Sequence, residues 1–250
     1  MELNFLTCAI VIGVAFIGGF VSSIAGSGGL LTLPALLWVG LPPLTALGTY
    51  KIQSSIGALS SAWNFYNKGF LKVQPLVKPL MLTLLGSGSG ALTVQSLDGE
   101  FLRRLIPLLL IVVATFFLFS PQIVTNNRVA KLTVNVFSCT AALGVGFYGG
   151  FFGPGIGSIM PFLFVWLLGY DLVKATADTK LMSLTINGAS AIIFVVNGLI
   201  LWELALPMAL AQVIGARFGS NLVMSKGASL VQPFLIVMTL LVAMKLFFFS

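Results

Sequence analysis

Histidine is absent from all 250 residues, and the chain holds only six carboxylates and two cysteines. Without histidine it lacks the usual general base at neutral pH and the commonest metal ligand. Cys8 and Cys139 stand singly in apolar runs, with no C-x-x-C, which excludes a disulfide scaffold and a familiar zinc site. Charge of either sign is scarce: 8% of residues are charged, against ~25% in soluble domains. With 58% hydrophobic residues and a mean hydropathy of +1.08, there is too little polar side chain to coat a water-facing surface. The chain reads as an all-α, polytopic membrane protein. A net charge of +7 does not make it a nucleic-acid binder, because its basic residues are scattered singly and form no patch. With no histidine and only lone cysteines no metal is expected, and no cofactor is expected either; as no G-x-x-x-x-G-K-[ST] run is present, any driving force is an ion or solute gradient.

What the chain does have is glycine, 27 of them, in a pattern that repeats. Gly19, Phe20, Gly26, Gly28, Pro34 and Leu36 align with Gly146, Phe147, Gly153, Gly155, Pro161 and Leu163. Past a two-residue gap, Gly40, Ala46, Lys51, Ser54, Ser61, Phe65 and Gly69 align with Gly169, Ala175, Lys180, Ser183, Ser190, Phe194 and Gly198. Gly86 and Gly90 align with Gly215 and Gly219. Matches on Gly, Pro, Ser and an embedded Lys point to duplication rather than to shared greasiness. Two homologous halves, 1–125 and 126–250, are expected to form one transmembrane domain. The stretch Leu3 to Phe20 has no basic residue before it, and its end recurs downstream, so it reads as part of the fold and not as a leader.

Eight long apolar segments are predicted: Phe5 to Ala25, Pro43 to Tyr66, Val73 to Leu97, Leu102 to Phe119, Leu132 to Phe152, Leu172 to Val196, Leu201 to Val223 and Leu230 to Phe249. Each meets the ~20 residues a bilayer core requires. Two short pieces, Leu30 to Val39 and Ser158 to Leu168, do not. Each follows a Gly-rich break and carries Pro at its fourth or fifth position, the pattern of a broken half-helix whose free backbone lines a cavity. If the short pieces cross, the halves are inverted and Lys68, Lys72, Arg128, Lys131 and Lys226 share the cytoplasmic side, opposite Arg103 and Arg104. If they are re-entrant, the halves run parallel. Inversion, with both termini outside, is preferred.

The costliest residues are Lys51 and Lys180, repeat-related and deep in long apolar segments, where a charge costs ~2.5–3.5 kcal/mol on insertion scales. The bland alternative is a structural ion pair. No acid lies within a turn of Lys51, and Asp178 is spaced to meet Lys174 rather than Lys180. Ser183 and Asn187 follow on the face of Lys180, and Ser54 on that of Lys51. The breaks, Gly26-Ser27-Gly28-Gly29 and Gly153-Pro154-Gly155-Ile156-Gly157, would present helix N-termini with unpaired N–H groups to an anion. Two ammonium groups and two such termini near a pseudo-axis suit a small anion. Asp178 is the best-placed proton carrier. Gly86, Gly90, Gly215 and Gly219 read as packing notches, and Trp38, Trp63, Trp166 and Trp202 as interfacial anchors.

At these residues the sequence resembles the sulfite exporter TauE/SafE family, also called the toluene sulfonate uptake permease family. The resemblance is carried by Ala25 to Pro34, Pro42-Pro43 and Ala46 to Gln53, and by Gly146 to Gly155 and Lys174 to Lys180. Tyr50 departs from it, since many relatives have Asn there, so no ligand role is carried over to that position. The resemblance implies secondary transport, usually outward, of sulfur-containing anions such as sulfite or sulfonates across a bacterial cytoplasmic (inner) membrane. The expected partners are the small anion and the lipid bilayer, with a second copy of the chain as the protein partner. An intramembrane enzyme lacks an acid–base pair here. A non-transporting scaffold or assembly factor would have no reason to hold two embedded lysines.

Overall fold

The computed structural model describes residues 4–26, 28–119 and 130–227. Ser27, Arg128, the segment Leu230 to Phe249 and the boundary between the halves lie outside the described residues. Among the described residues there is no strand. The long helices are α1 (Phe5–Ala25), α3 (Pro43–Asn67), α4 (Val77–Gln95), α5 (Gly99–Phe119), α9 (Leu172–Val196) and α10 (Trp202–Lys226). The short α2 (Gly29–Trp38) and α8 (Ile156–Leu168) lie after the two breaks. A seventh rod, Val134–Phe151, consists of α6 (Val134–Phe137), a π-helical stretch Ser138–Ala142 and α7 (Leu143–Phe151).

Local chemistry sets these ends. Asn4 and Asp171 accept from the backbone N–H groups of Leu6 and Lys174 and start α1 and α9, and Pro43 occupies the first turn of α3, where its missing N–H costs nothing. Gly26 and Gly169 stop α1 and α8 in the left-handed conformation. The differences from expectation have equally local causes. Lys131 and Leu132 donate their N–H groups to the Leu167 carbonyl, so the rod Val134–Phe151 begins at Val134 and not at Leu132. Pro75 turns the start of the α4 segment into a 3-10 turn, Gln74–Leu76. Asp98 caps α5 and draws Glu100, Arg103 and Arg104 into its first turns. The proline of each short helix falls at the sixth residue, because α2 and α8 start at Gly29 and Ile156.

Among the described residues, three rods, Phe5–Ala25, Val134–Phe151 and Leu172–Val196, are long and apolar enough to cross a membrane on length and composition. Helices α3 and α10 are as long as α9 but more polar, because they bury amides and hydroxyls against each other. Asn64 donates to Ser220 Oγ at 2.7 Å and to Asn221 Oδ1 at 2.9 Å, and Ser60 donates to the Val213 carbonyl.

Close backbone approaches fix the helix directions. Gly215 and Gly219 of α10 meet Phe16 and Phe20 of α1 in the same order, and Gly86 and Gly90 of α4 meet Leu143 and Phe147 of α7. A Cβ at any of the four would stand 2.1–2.5 Å from a carbonyl oxygen of the facing helix, so these glycines are packing notches. Gly57, Ser60 and Asn64 likewise follow Gln212, Val213 and Ser220, which makes α1, α3 and α10 parallel. Ser87 donates to the Ile186 carbonyl and Asn197 to Gln95, so α4, α7 and α9 run together. The two groups are opposed. Thr49, near the start of α3, accepts from Leu201 N just past the end of α9, while Phe65 at the other end of α3 packs with Leu172. Each short helix therefore returns between two parallel long ones.

Candidate functional site

The two chain breaks touch at the centre of the bundle. A Cβ on Gly26 would lie 1.8 Å from the carbonyl of Gly157, and Gly26 has φ +73°, so only glycine permits this backbone-to-backbone approach. Beside the contact lies a cleft enclosing about 460 Å³ of empty space, its mouth included, between α1, α3, α9 and α10. Lys180, Ser183 and Asn187 line it from α9, three and four residues apart as one helical face demands. Tyr50, Ser54, Gly57, Ala58 and Ser61 line it from α3, and Ser22, Ser23 and Gly26 from the end of α1. Gly29, Gly153, Ile156 and Gly157 supply the floor, and Gln212 of α10 stands across from them.

Helices α2 and α8 both begin without a side-chain cap, with Gly28 and Gly155 at the capping positions. Their first N–H groups are therefore free of side-chain acceptors. The carbonyl ends are treated differently. Lys180 Nζ donates to the Ser22 carbonyl of α1 at 2.6 Å, and Lys51 Nζ donates to the Gly149 carbonyl of α7. Ser22 and Gly149 occupy aligned positions in the two halves of the sequence, so each lysine neutralises the carbonyl end of the helix before the other break.

The predicted residues do not all gather. Lys180, Ser54, Ser183, Asn187, Gly26, Gly29, Gly153 and Gly157 meet on the cleft. Lys51 does not: it is 0% exposed and sealed behind Gly153, where a Cβ would stand 2.6 Å from its Nζ. Gly28 is used against the backbone of Gly18, and Pro154 accepts from the Tyr148 hydroxyl. Gly28, Pro154 and Gly155 are not on the cleft wall, and Ser27 lies outside the described residues. Asp178 is buried, pairs with Lys174 at 2.6 Å and does not line the cleft. Lys174 also stacks over the Tyr170 ring.

Among the wall residues that sequence reading did not assign to the site, Tyr50 and Gln212 carry the largest polar side chains. The face of α3 that lines the cleft runs through Tyr50, Ser54, Ala58 and Ser61, so Lys51, about 100° further round, points elsewhere. The Tyr50 hydroxyl lies against Gly29, the first residue of α2, where a Cβ would be 2.5 Å away. Gln212 was readable as the one amide in the run from Trp202 to Ser220. Its neighbours Gly19 and Gly57 make room for it. Gln53 is buried with neither end of its carboxamide bonded and is off the cleft wall; the structure gives no account of it.

The model of the Sulfite exporter TauE/SafE family matches residues 11–246. The chain is 38% identical over 246 residues to a Haemophilus influenzae protein named "Probable membrane transporter protein", covering 98% of this chain and 96% of that one. It is 37% identical to "Probable membrane transporter protein YfcA" of Escherichia coli strain K12, covering 98% and 91%. It is 36% identical to "Probable membrane transporter protein ORF9" of a Sinorhizobium species, covering 98% and 94%. No solved structure matches the chain.

Proposed function

Because the chain belongs to the sulfite exporter TauE/SafE family, we propose that it is a secondary transporter moving a small anion, such as sulfite or a sulfonate, usually outward, across a bacterial cytoplasmic membrane. The observation that carries this reading is the cleft. It combines a buried ammonium, an uncapped helix N-terminus on either side and several hydroxyls, and no carboxylate stands among its lining residues. Lys180 neutralises the anion, the glycines of the breaks donate backbone N–H groups, and Ser54, Ser183 and Asn187 complete the shell.

Alternating access between two inverted halves, 1–125 and 126–250, is the second element of the proposal. Helices that the sequence aligns across the halves, α1 with α7, α3 with α9 and α4 with α10, run in opposite directions, which supports inversion. The packing around the aligned positions is unequal, which supports two interchanging states. Gly57 faces the open cleft, while its aligned position is Ile186, packed onto Gly149. In the other state Lys51 would take the place that Lys180 holds here.

Inversion puts the loops at Lys68 and Lys226 on the same, cytoplasmic side. Single cysteines introduced at both, in a background freed of Cys8 and Cys139, should be labelled by an impermeant thiol reagent from one side only. Labelling from opposite sides establishes parallel halves.

The transport reading is tested in liposomes, comparing sulfite and small sulfonates with sodium, potassium and amines under matched gradients. Saturable anion flux is expected, with cation flux no higher than in empty vesicles. A desolvated cation would meet Lys180 with no carboxylate on the cleft wall to answer it. Saturable cation flux without anion competition overturns the function. Asp178 is proposed as the proton carrier, so Asp178→Asn should keep anion flux but lose its response to a pH gradient; an unchanged response removes Asp178 from coupling.

A further inference from the structure

The cleft wall contains acceptors that a simple anion cannot satisfy. Asn187 donates its side-chain NH₂ to the Ser183 carbonyl at 2.9 Å, one turn back, and that bond fixes the rotation of the carboxamide. Its Oδ1 is buried with no partner, on a residue only 5% exposed. Gln212, also 5% exposed, lines the same cleft from α10 and buries an unpartnered Oε1. An unmatched buried acceptor is costly, and an anion without a proton to donate would add like charge beside it. The donors of the site lie with Lys180, Tyr50 and the helix breaks, so the cleft offers both polarities.

Resting on the transport reading above, we infer that the carried anion bears its own hydrogen-bond donor: a hydroxyl, an amino group or a retained acid proton, placed to meet Asn187 and Gln212 while its charged group faces Lys180. The substrate class is thus hydroxylated, aminated or singly protonated oxyanions and sulfonates, rather than halides or fully deprotonated dianions. Discrimination of this kind is steep, because a site built to bond a hydroxyl leaves its own polar groups unpaired when the hydroxyl is missing.

The test is binding of matched ligand pairs to the full-length protein in lipid nanodiscs. 2-Hydroxyethanesulfonate is compared with propanesulfonate, and glycolate with propionate; within each pair a hydroxyl stands against a methyl of nearly equal size. The wild type should bind the hydroxylated member at least about tenfold more tightly. In Asn187→Leu the preference should shrink below about threefold, and Gln212→Met gives the same readout should the first variant fail to fold. Equal affinity within both pairs sinks the donor requirement and leaves the anion reading intact. A preference that survives in both variants also overturns the inference, since the acceptors named are then not its source. No binding of any of the four ligands overturns this inference, and sulfite flux in the liposome test decides whether the anion reading falls with it.

Discussion

Replacing Gly157 with alanine is expected to leave almost no folded protein, and Gly26→Ala should behave the same way. A methyl on Gly157 would fall 2.4 Å from Gly26 Cα, and one on Gly26 would fall 1.8 Å from the Gly157 carbonyl carbon. Both neighbours are backbone, so no side chain can swing aside. Relief requires the ends of α1 and α8 to part, which would break the Ser158 hydroxyl bond to the Ala25 carbonyl and disturb the Lys180 bond to Ser22. Overpacking of this severity belongs with changes of ~4–5 kcal/mol or more, a large share of any domain's stability. Gly13, Gly144 and Gly188 are the controls: each lies in a helix or π-helical rod with nothing within 4 Å of a Cβ, and alanine there should be neutral or slightly stabilising. The measurement is the yield of monodisperse protein together with its thermal unfolding. A Gly157→Ala protein that unfolds at the wild-type temperature shows that the breaks do not meet.

The helical rods were readable because their causes are local. Apolar length, Pro43 at a start, Asp171 as a cap and a left-handed glycine at an end are sequence properties, and α1 and α9 have the bounds that the apolar runs predict. The stripe Lys180, Ser183, Asn187 was readable too, since one helix face needs only the 3.6-residue period. The rotation of α3 was not. Lys51 and Tyr50 are adjacent, and which of them faces the cleft is decided by the packing of α3 on α9 and α10, a tertiary choice with no local signature. The same holds for Gln212, which gains its place only because Gly19 and Gly57, distant in sequence, leave room beside it. Sequence reasoning also placed both lysines beside the amide ends of the broken helices. In the structure they are bound to the carbonyl ends of the preceding helices, in the opposite half of the chain.

That crossed bonding makes the lysines the most informative pair to change. Lys180→Met and Lys51→Met should each lower anion flux by at least about a hundredfold, ~3 kcal/mol, in line with the cost of losing a buried charge that meets an opposite charge. The two should part in binding. Lys180 lies on the cleft wall in the state described here, so its loss should weaken anion binding at least tenfold more than the loss of Lys51, which is sealed behind Gly153. Stability separates the functional role from the bland one. Each ammonium answers a neutral carbonyl, not a carboxylate, and the Ser22 carbonyl also accepts from the Gly26 N–H, so removing either lysine should cost no more than the ~1–3 kcal/mol of one unmatched acceptor rather than the ~3–5 kcal/mol of a broken buried ion pair. Flux is therefore normalised to folded protein recovered in the vesicles, with unfolding measured alongside. Wild-type flux per folded molecule in both variants, with stability lost, would make the lysines helix clamps and no more. Loss of flux in both with equal loss of binding would mean that one state exposes the two ammonium groups together, contrary to the sealed position of Lys51.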